Sequence, residues 1–455
     1  MNSDLIPMTK VYIVSILTLC MSACYSLPER ASLQSQAVNV WQSEHSSDLV
    51  DLTAWLQQAL LSNPSYLQAQ QRVVQAELNM DNAGASRLPE VKLALEQSRR
   101  QTATNLSSGS SLTASLSFEL DWFGKLADAE QQSILLWQQE QQNLQQTRQQ
   151  LLKQVAQSYL EALKAQQLLG LYEKRATLLQ QQLVMLEQNY QLGLTSALDI
   201  YSARSSVAAE QSRVVSQAQT LKQTVSQLQT LVGVYPSGVI TQLALPEWHA
   251  EQYSDLPSEV LNQRPDVQAA WFALLTADRS AAVAYKARFP AFKLTASSGY
   301  SSSEFKDLLK GDLLWSWVLN LAQPIFDGGR LAREELRAQS NAQIAASKLQ
   351  DTVNLAYSEV EVALTARSAT VQRLALAQTG YENAVLAQDL SFAQYQKGLV
   401  TYTTVLDAQK RALDAEVTLI SLSAEQLQQI ITLETALGRP LATRFALSLG
   451  SQNEI

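Results

Sequence analysis

Few side chains in this sequence are equipped for chemistry. It contains two histidines and two cysteines in 455 residues. His45 and His249 stand far apart with no metal-ligand pattern around them, and both read as solvated loop residues. Cys20 and Cys24 lie behind a leader. Lys10 begins its basic stretch, and Val11 to Leu19 is an apolar run too short to span a bilayer as a helix. Met21-Ser22-Ala23-Cys24 then places small residues before a cysteine, as a bacterial lipobox requires. Bulky Leu19 makes Cys20 a poorer acceptor. The chemistry expected is therefore a modification: cleavage before Cys24 and lipid attachment to its thiol. Acyl chains anchor at about 0.8 kcal/mol per buried methylene. A mature chain starting at Cys24 has one cysteine and forms no intrachain disulfide. An ordinary signal peptide with incidental cysteines is the alternative, and translation could start at Met1 or Met8.

Other chemistry is not written here. The sequence shows no nucleophile constellation, phosphate loop or metal cluster, so the expectation is no enzyme and no cofactor besides the covalent lipid on Cys24. A net charge of -8 without a basic stripe excludes nucleic acid as a partner. A charged fraction of 17% with 46% hydrophobic residues argues against disorder.

The elements that position these residues come from an internal duplication. Pro64 answers Pro265 and Arg87-Leu88-Pro89 answers Arg288-Phe289-Pro290, each about 201 positions apart. Further along, the offset settles at about 205: Tyr190-Gln191-Leu192-Gly193-Leu194 answers Tyr395-Gln396-Lys397-Gly398-Leu399, and Leu231-Val232-Gly233 answers Ala436-Leu437-Gly438. Two proline-free tracts, Glu90 to Tyr235 and Ile325 to Arg439, dominate the copies. Lys125 to Leu192 is almost pure helix former, and as one helix it would extend roughly 100 Å. Leu144, Leu151, Val155, Ala162 and Leu169 make one stripe, and Leu152, Ala156, Tyr159 and Leu163 a second, displaced stripe. Two stripes predict two helix neighbours, as in a cylinder wall. Gly193 and Gly398 suit helix C-caps at hairpin tips, and Ser196 to Asp199 has the spacing of a capping box with Asp in place of Glu.

Before each helical tract the pattern changes to alternation. Val91 to Glu96 alternates, and Leu112, Ala114, Leu116, Phe118 and Leu120 point one way against Thr113, Ser115, Ser117, Glu119 and Asp121. The second copy repeats this in Phe292 to Ala296 and in Trp315, Trp317, Leu319 and Leu321. Apolar-out, polar-in strands with terminal aromatics predict a transmembrane β-barrel, with polar turns at Gln101 to Ser111 and Ser301 to Asp312 as external loops. Four strands cannot close a barrel, and an open edge in hydrocarbon leaves backbone groups unpaired at several kcal/mol each. Several copies must therefore share one wall.

The duplicated plan, with three stretches, resembles the TolC-like outer-membrane efflux proteins, in their lipoprotein (NodT/OprM) branch. Leu256-Pro257-Ser258-Glu259-Val260-Leu261-Asn262-Gln263-Arg264-Pro265-Asp266 is similar to the inter-repeat signature. Gln323 through Leu331 is similar to the strand-to-helix junction, and Gly398 through Gln409 to the motif near the periplasmic end. The resemblance spans Leu52 to Gly438. It implies a mainly α fold with membrane β: a homotrimer sharing a twelve-stranded β-barrel joined to a long periplasmic α-helical barrel. It implies a passive efflux duct in the Gram-negative outer membrane, lipid-anchored and served by a periplasmic adaptor and an inner-membrane pump of RND type. Cargo would be drugs or other small molecules; type I secretion or metal efflux uses the same fold. A periplasmic lipoprotein spacer or adaptor is a weaker alternative, since it would lack the strand segments. By residue match, Asp407 would line the periplasmic constriction and Tyr395 would bond Asp199. Val400 and Thr404 depart from the pattern, which has an arginine and a further aspartate there.

The implied division is a signal peptide over 1–23 and a lipidated segment over 24–62. A first repeat covers 63–233, with strands about 91–101 and 112–122 and helices about 125–192 and 196–232. An equatorial linker covers 234–263. The second repeat covers 264–438, with strands about 291–300 and 313–322 and helices about 329–397 and 401–437, and a tail ends the chain over 439–455.

Overall fold

The chain, a computed structural model, is described for residues 51–101, 106–240, 242–243 and 262–441. These belong to the unit His45–Ile455, the larger of two into which the chain divides. In order they form α1 (Leu52–Ser62), α2 (Pro64–Ala85), β1 (Glu90–Gln101), β2 (Leu106–Leu120), α3 (Lys125–Gln191) and α4 (Ala197–Val232). The second copy adds α5 (Pro265–Lys286), β3 (Ala291–Ser302), β4 (Leu314–Ala322), α6 (Arg330–Gln396) and α7 (Tyr402–Ala436). Cys24, His45 and His249 lie outside the described residues. Among the described helices none is long and apolar enough to cross a membrane.

The strands form one antiparallel sheet in the order β1-β2-β3-β4. Its register aligns Val91 with Leu116, Ala296 and Trp317, and Leu93 with Ala114, Ser298 and Trp315. One face is thus apolar over several rungs and the other carries Lys92, Ser115, Ser297 and Ser316. The apolar face is bare: Val91 is 70%, Trp315 73% and Trp317 64% exposed. So large an uncovered apolar surface marks contact with lipid or protein. Among the described residues, β1 and β4 each pair on one side only. Between β2 and β3, Gly299 lets the backbones meet, since a Cβ there would lie 2.1 Å from the Leu112 carbonyl oxygen. β2 starts at Leu106, so much of the polar stretch expected as loop is paired with β1 from Glu96 to Gln101.

Below the sheet, α3 is packed between α2 and α5 near its start, and between α4 and α7 further along; α6 runs beside α5 and then α7. Both α3 stripes are buried from Leu151 to Leu163 and form the main core. α1 contributes Trp55, Leu56 and Ala59 to this core, all fully buried. Residues 52–62 are therefore a docked helix, lying within the span 24–62 assigned from sequence to a lipidated segment before the first repeat. The signal is present in the spacing of Leu52, Trp55, Leu56 and Ala59.

At the return of each helix pair the two copies use one device. The residue before the proline bonds the end of the incoming helix: Asn63 Nδ2 donates to the Leu231 carbonyl at 2.8 Å, and Arg264 Nη1 to the Ala436 carbonyl at 3.0 Å. These carbonyls have no intrahelical partner, so the side chains satisfy them. Arg264 also donates to Asp266 and to Glu359 at 2.6 Å, tying α5, α6 and α7 together. Arg264→Ala should cost about 2–3 kcal/mol, because it strips four charge-assisted bonds from Asp266, Glu359 and the Ala436 carbonyl. Arg264→Lys should recover only part, lacking the planar fork. The thermal midpoint of the detergent-purified protein checks this; an unchanged midpoint for Arg264→Ala would refute it.

Candidate gate at the helix-hairpin tips

Each long helix pair turns through the same cap. Gly193 and Gly398 adopt φ of 70° and 72°. Around them, Leu194 N–H donates to the Asn189 carbonyl at 2.8 Å, and Leu399 N–H to the Gln394 carbonyl at 3.0 Å. This is the closure that a left-handed residue allows after a helix, and glycine takes it without strain. Ser196 Oγ accepts from the Asp199 N–H at 3.2 Å, which starts α4. The Asp199 carboxylate does not complete the box; it accepts from Thr195 Oγ1 at 2.9 Å instead.

Thr195 relays this contact to the second hairpin. With the Thr195 proton given to Asp199, the Tyr395 hydroxyl donates to Thr195 Oγ1 at 3.0 Å. The structure thus brings Asp199 and Tyr395 together around Thr195, joining the start of α4 to the end of α6. Asp407 is elsewhere. It lies on the exposed side of α7 and makes no hydrogen bond or ion pair among the described residues.

The centre of the tip is a residue that motif matching passes over. Tyr402 is 1% exposed, packed among Leu179, Leu183 and Leu186 of α3 and Ile200, Ala203 and Val207 of α4. Its ring lies 5.4 Å from that of Tyr395. Among the described residues its hydroxyl has no hydrogen-bond partner. Burial, with Tyr395 and Asp199 nearby, pushes the phenol up to about 12, and burial also raises Tyr395. Both phenols therefore stay neutral around neutral pH. The helical spacing of Tyr402, Val405, Leu406 and Gln409 carried the signal. Gln409 Nε2 donates to Gln182 Oε1 at 3.0 Å, a buried amide pair joining α7 to α3.

Further from the tip, Glu210 of α4 is buried beside Arg175 of α3 at 3.6 Å and Arg213 at 3.4 Å. Burial lowers the Arg175 guanidinium, against the attraction of Glu210. The tip is thus held by a neutral aromatic and amide core, with its buried charges set back from it. Tyr402→Phe should leave stability unchanged or slightly raised, since it removes an unpartnered buried hydroxyl. Tyr402→Ala should cost about 3–5 kcal/mol through the cavity it leaves. Thermal unfolding of the two variants decides it, and a Phe variant as damaged as the Ala variant would mean the hydroxyl has a partner.

Comparison with known proteins identifies the arrangement. The family model described as Outer membrane efflux protein matches residues 55–234 and 256–439. The probable efflux pump outer membrane protein SepC of Pseudomonas putida is 28% identical over 328 residues, covering 72% of this chain and 68% of SepC. The cation efflux system protein CusC of Escherichia coli is 28% identical over 400 residues, 84% of this chain and 85% of CusC. A crystal structure of CusC superposes with a TM-score of 0.79 at 25% identity, covering 91% of this chain and 97% of that one. With its apolar four-stranded sheet, paired long helices and capped hairpin tips, this chain belongs to the outer membrane efflux protein family.

Proposed function

We propose that three copies of this chain close a single passive exit duct across the outer membrane. An inner-membrane pump of RND type supplies the energy, and a periplasmic adaptor joins the two. The cargo is drugs or other small molecules. The observation that carries this is the sheet: β1 and β4 each keep one unpaired edge, and both strands are exposed along their whole length. In hydrocarbon those edges must pair, and only further copies present the complementary edge. The exposed apolar residues of α6, among them Leu336, Leu355, Val362 and Leu386, support the same closure lower down. A duct of this kind carries out no reaction, so the protein is read as no enzyme, with lipid on Cys24 as its sole covalent group.

Opening is a change at the tips. Asp199, Thr195 and Tyr395 hold the two hairpins of one copy together, while Asp407 is free to meet its equivalents near the axis. A ring of carboxylates repels itself unless neighbours compensate. In extraction trials Cys24→Ser protein should stay in the outer-membrane fraction until detergent is added, because the barrel holds it. Release by an alkaline wash alone would reduce the protein to an anchored periplasmic spacer. In planar bilayers Asp407→Ala should raise the closed-state conductance, and an unchanged value would remove Asp407 from the constriction.

A further inference from the structure

The exposed side of α7 carries a charge pattern that the gate motif does not explain. Thr403, Thr404, Asp407, Lys410, Arg411 and Asp414 are all exposed, and Tyr402, Val405, Gln409, Ala412 and Leu413 opposite them are buried. α7 has α6 on one flank and α3 on the other. Its exposed ridge is therefore no lateral seam between copies; it faces along the radius of the wall. Asp407, Lys410 and Arg411 have no hydrogen bond or ion pair to any described residue. Their charges are available to whatever passes. On the other hairpin, by contrast, Arg204 and Glu187 neutralise each other at 2.8 Å.

Spacing decides what a passing ion feels. At the helical rise, Lys410 and Arg411 lie about 4.5 and 6 Å beyond Asp407, and Asp414 about 10 Å. All fall within one Debye length of about 10 Å at 0.1 M salt, so an ion experiences their sum. Two carboxylates and two cations cancel to first order. Asp414 stands furthest off, about 10 Å from Asp407 against about 4.5 and 6 Å for the two cations, so beside Asp407 the local balance tips positive. Rings of lysine and arginine are how pores accept anions.

Resting on the duct reading above, we propose that Lys410 and Arg411 form a basic step in the lumen, immediately behind Asp407. This step binds anionic groups in transit, such as carboxylates, phosphates and sulfonates. It overrides the cation attraction expected from Asp407 alone, so the pair sets the duct's ion preference.

Purified full-length protein in planar bilayers under a potassium chloride gradient tests this through the reversal potential. The double variant K410Q/R411Q should raise the potassium-to-chloride permeability ratio by roughly threefold or more, and Asp407→Asn should lower it. Benzoate or inorganic phosphate should permeate the parent more readily than the double variant. A ratio unchanged in K410Q/R411Q overturns the proposal while leaving the duct intact. Lys410→Cys gives an independent reading: an anionic thiol reagent should cut the current if the ridge lines the lumen. A reagent that labels the cysteine without changing the current places the ridge outside and overturns the proposal. A parent protein that conducts nothing overturns the duct reading itself, and this inference with it.

Discussion

An apolar sheet with two open edges cannot exist in a membrane by itself, and the remaining architecture answers that constraint. Each unpaired N–H or C=O in hydrocarbon costs several kcal/mol, so β1 and β4 have to find partners from outside the protomer. The residues beside those edges are suited to lipid: Val91 and Leu93 on β1, Trp315 and Trp317 on β4. The helices inherit the symmetry that the sheet demands, because each strand pair runs directly into a long helix. Asp121 and Asp327 secure that passage by accepting from the first free N–H groups of α3 and α6. Those backbone bonds also hold the Asp327 carboxyl below its ordinary range.

Duplication let one solution serve twice and then diverge. The glycine caps, the aspartates at the strand-to-helix junction and the bond from the pre-proline side chain recur in both copies. Burial separates them. α3 buries leucines along most of its length, whereas α6 buries mainly alanines, with Thr370 and Ser391. The first copy's long helix is an internal strut of the protomer. The second copy's long helix keeps its large apolar side chains outward, where a neighbouring copy completes the packing.

The tip combines a neutral interior with a charged outer ridge. Tyr402, Tyr395 and the Gln182–Gln409 pair hold the hairpins without any group that titrates near neutrality. Structural integrity at the tip is thereby insulated from the periplasmic medium. The charges of α7 stand apart on the opposite, exposed face. Holding the tip is thus confined to one face of the helix.

Local patterns made much of this legible. Period-two alternation disclosed the strands, period-3.6 stripes disclosed the helices, and the mismatch between four strands and a closed barrel disclosed the need for further copies. The sequence by itself also determined the caps, since glycine at a left-handed turn and serine at a helix start depend only on near neighbours. Tertiary structure alone decided that Thr195 mediates between Asp199 and Tyr395, that Tyr402 fills the tip, and that Leu52–Ser62 docks into the core. It alone decided that the face shared by Asp407, Lys410 and Arg411 is left open. Those facts depend on which helices lie side by side across some two hundred residues of chain, and spacing within one helix says which residues share a face but not what that face meets.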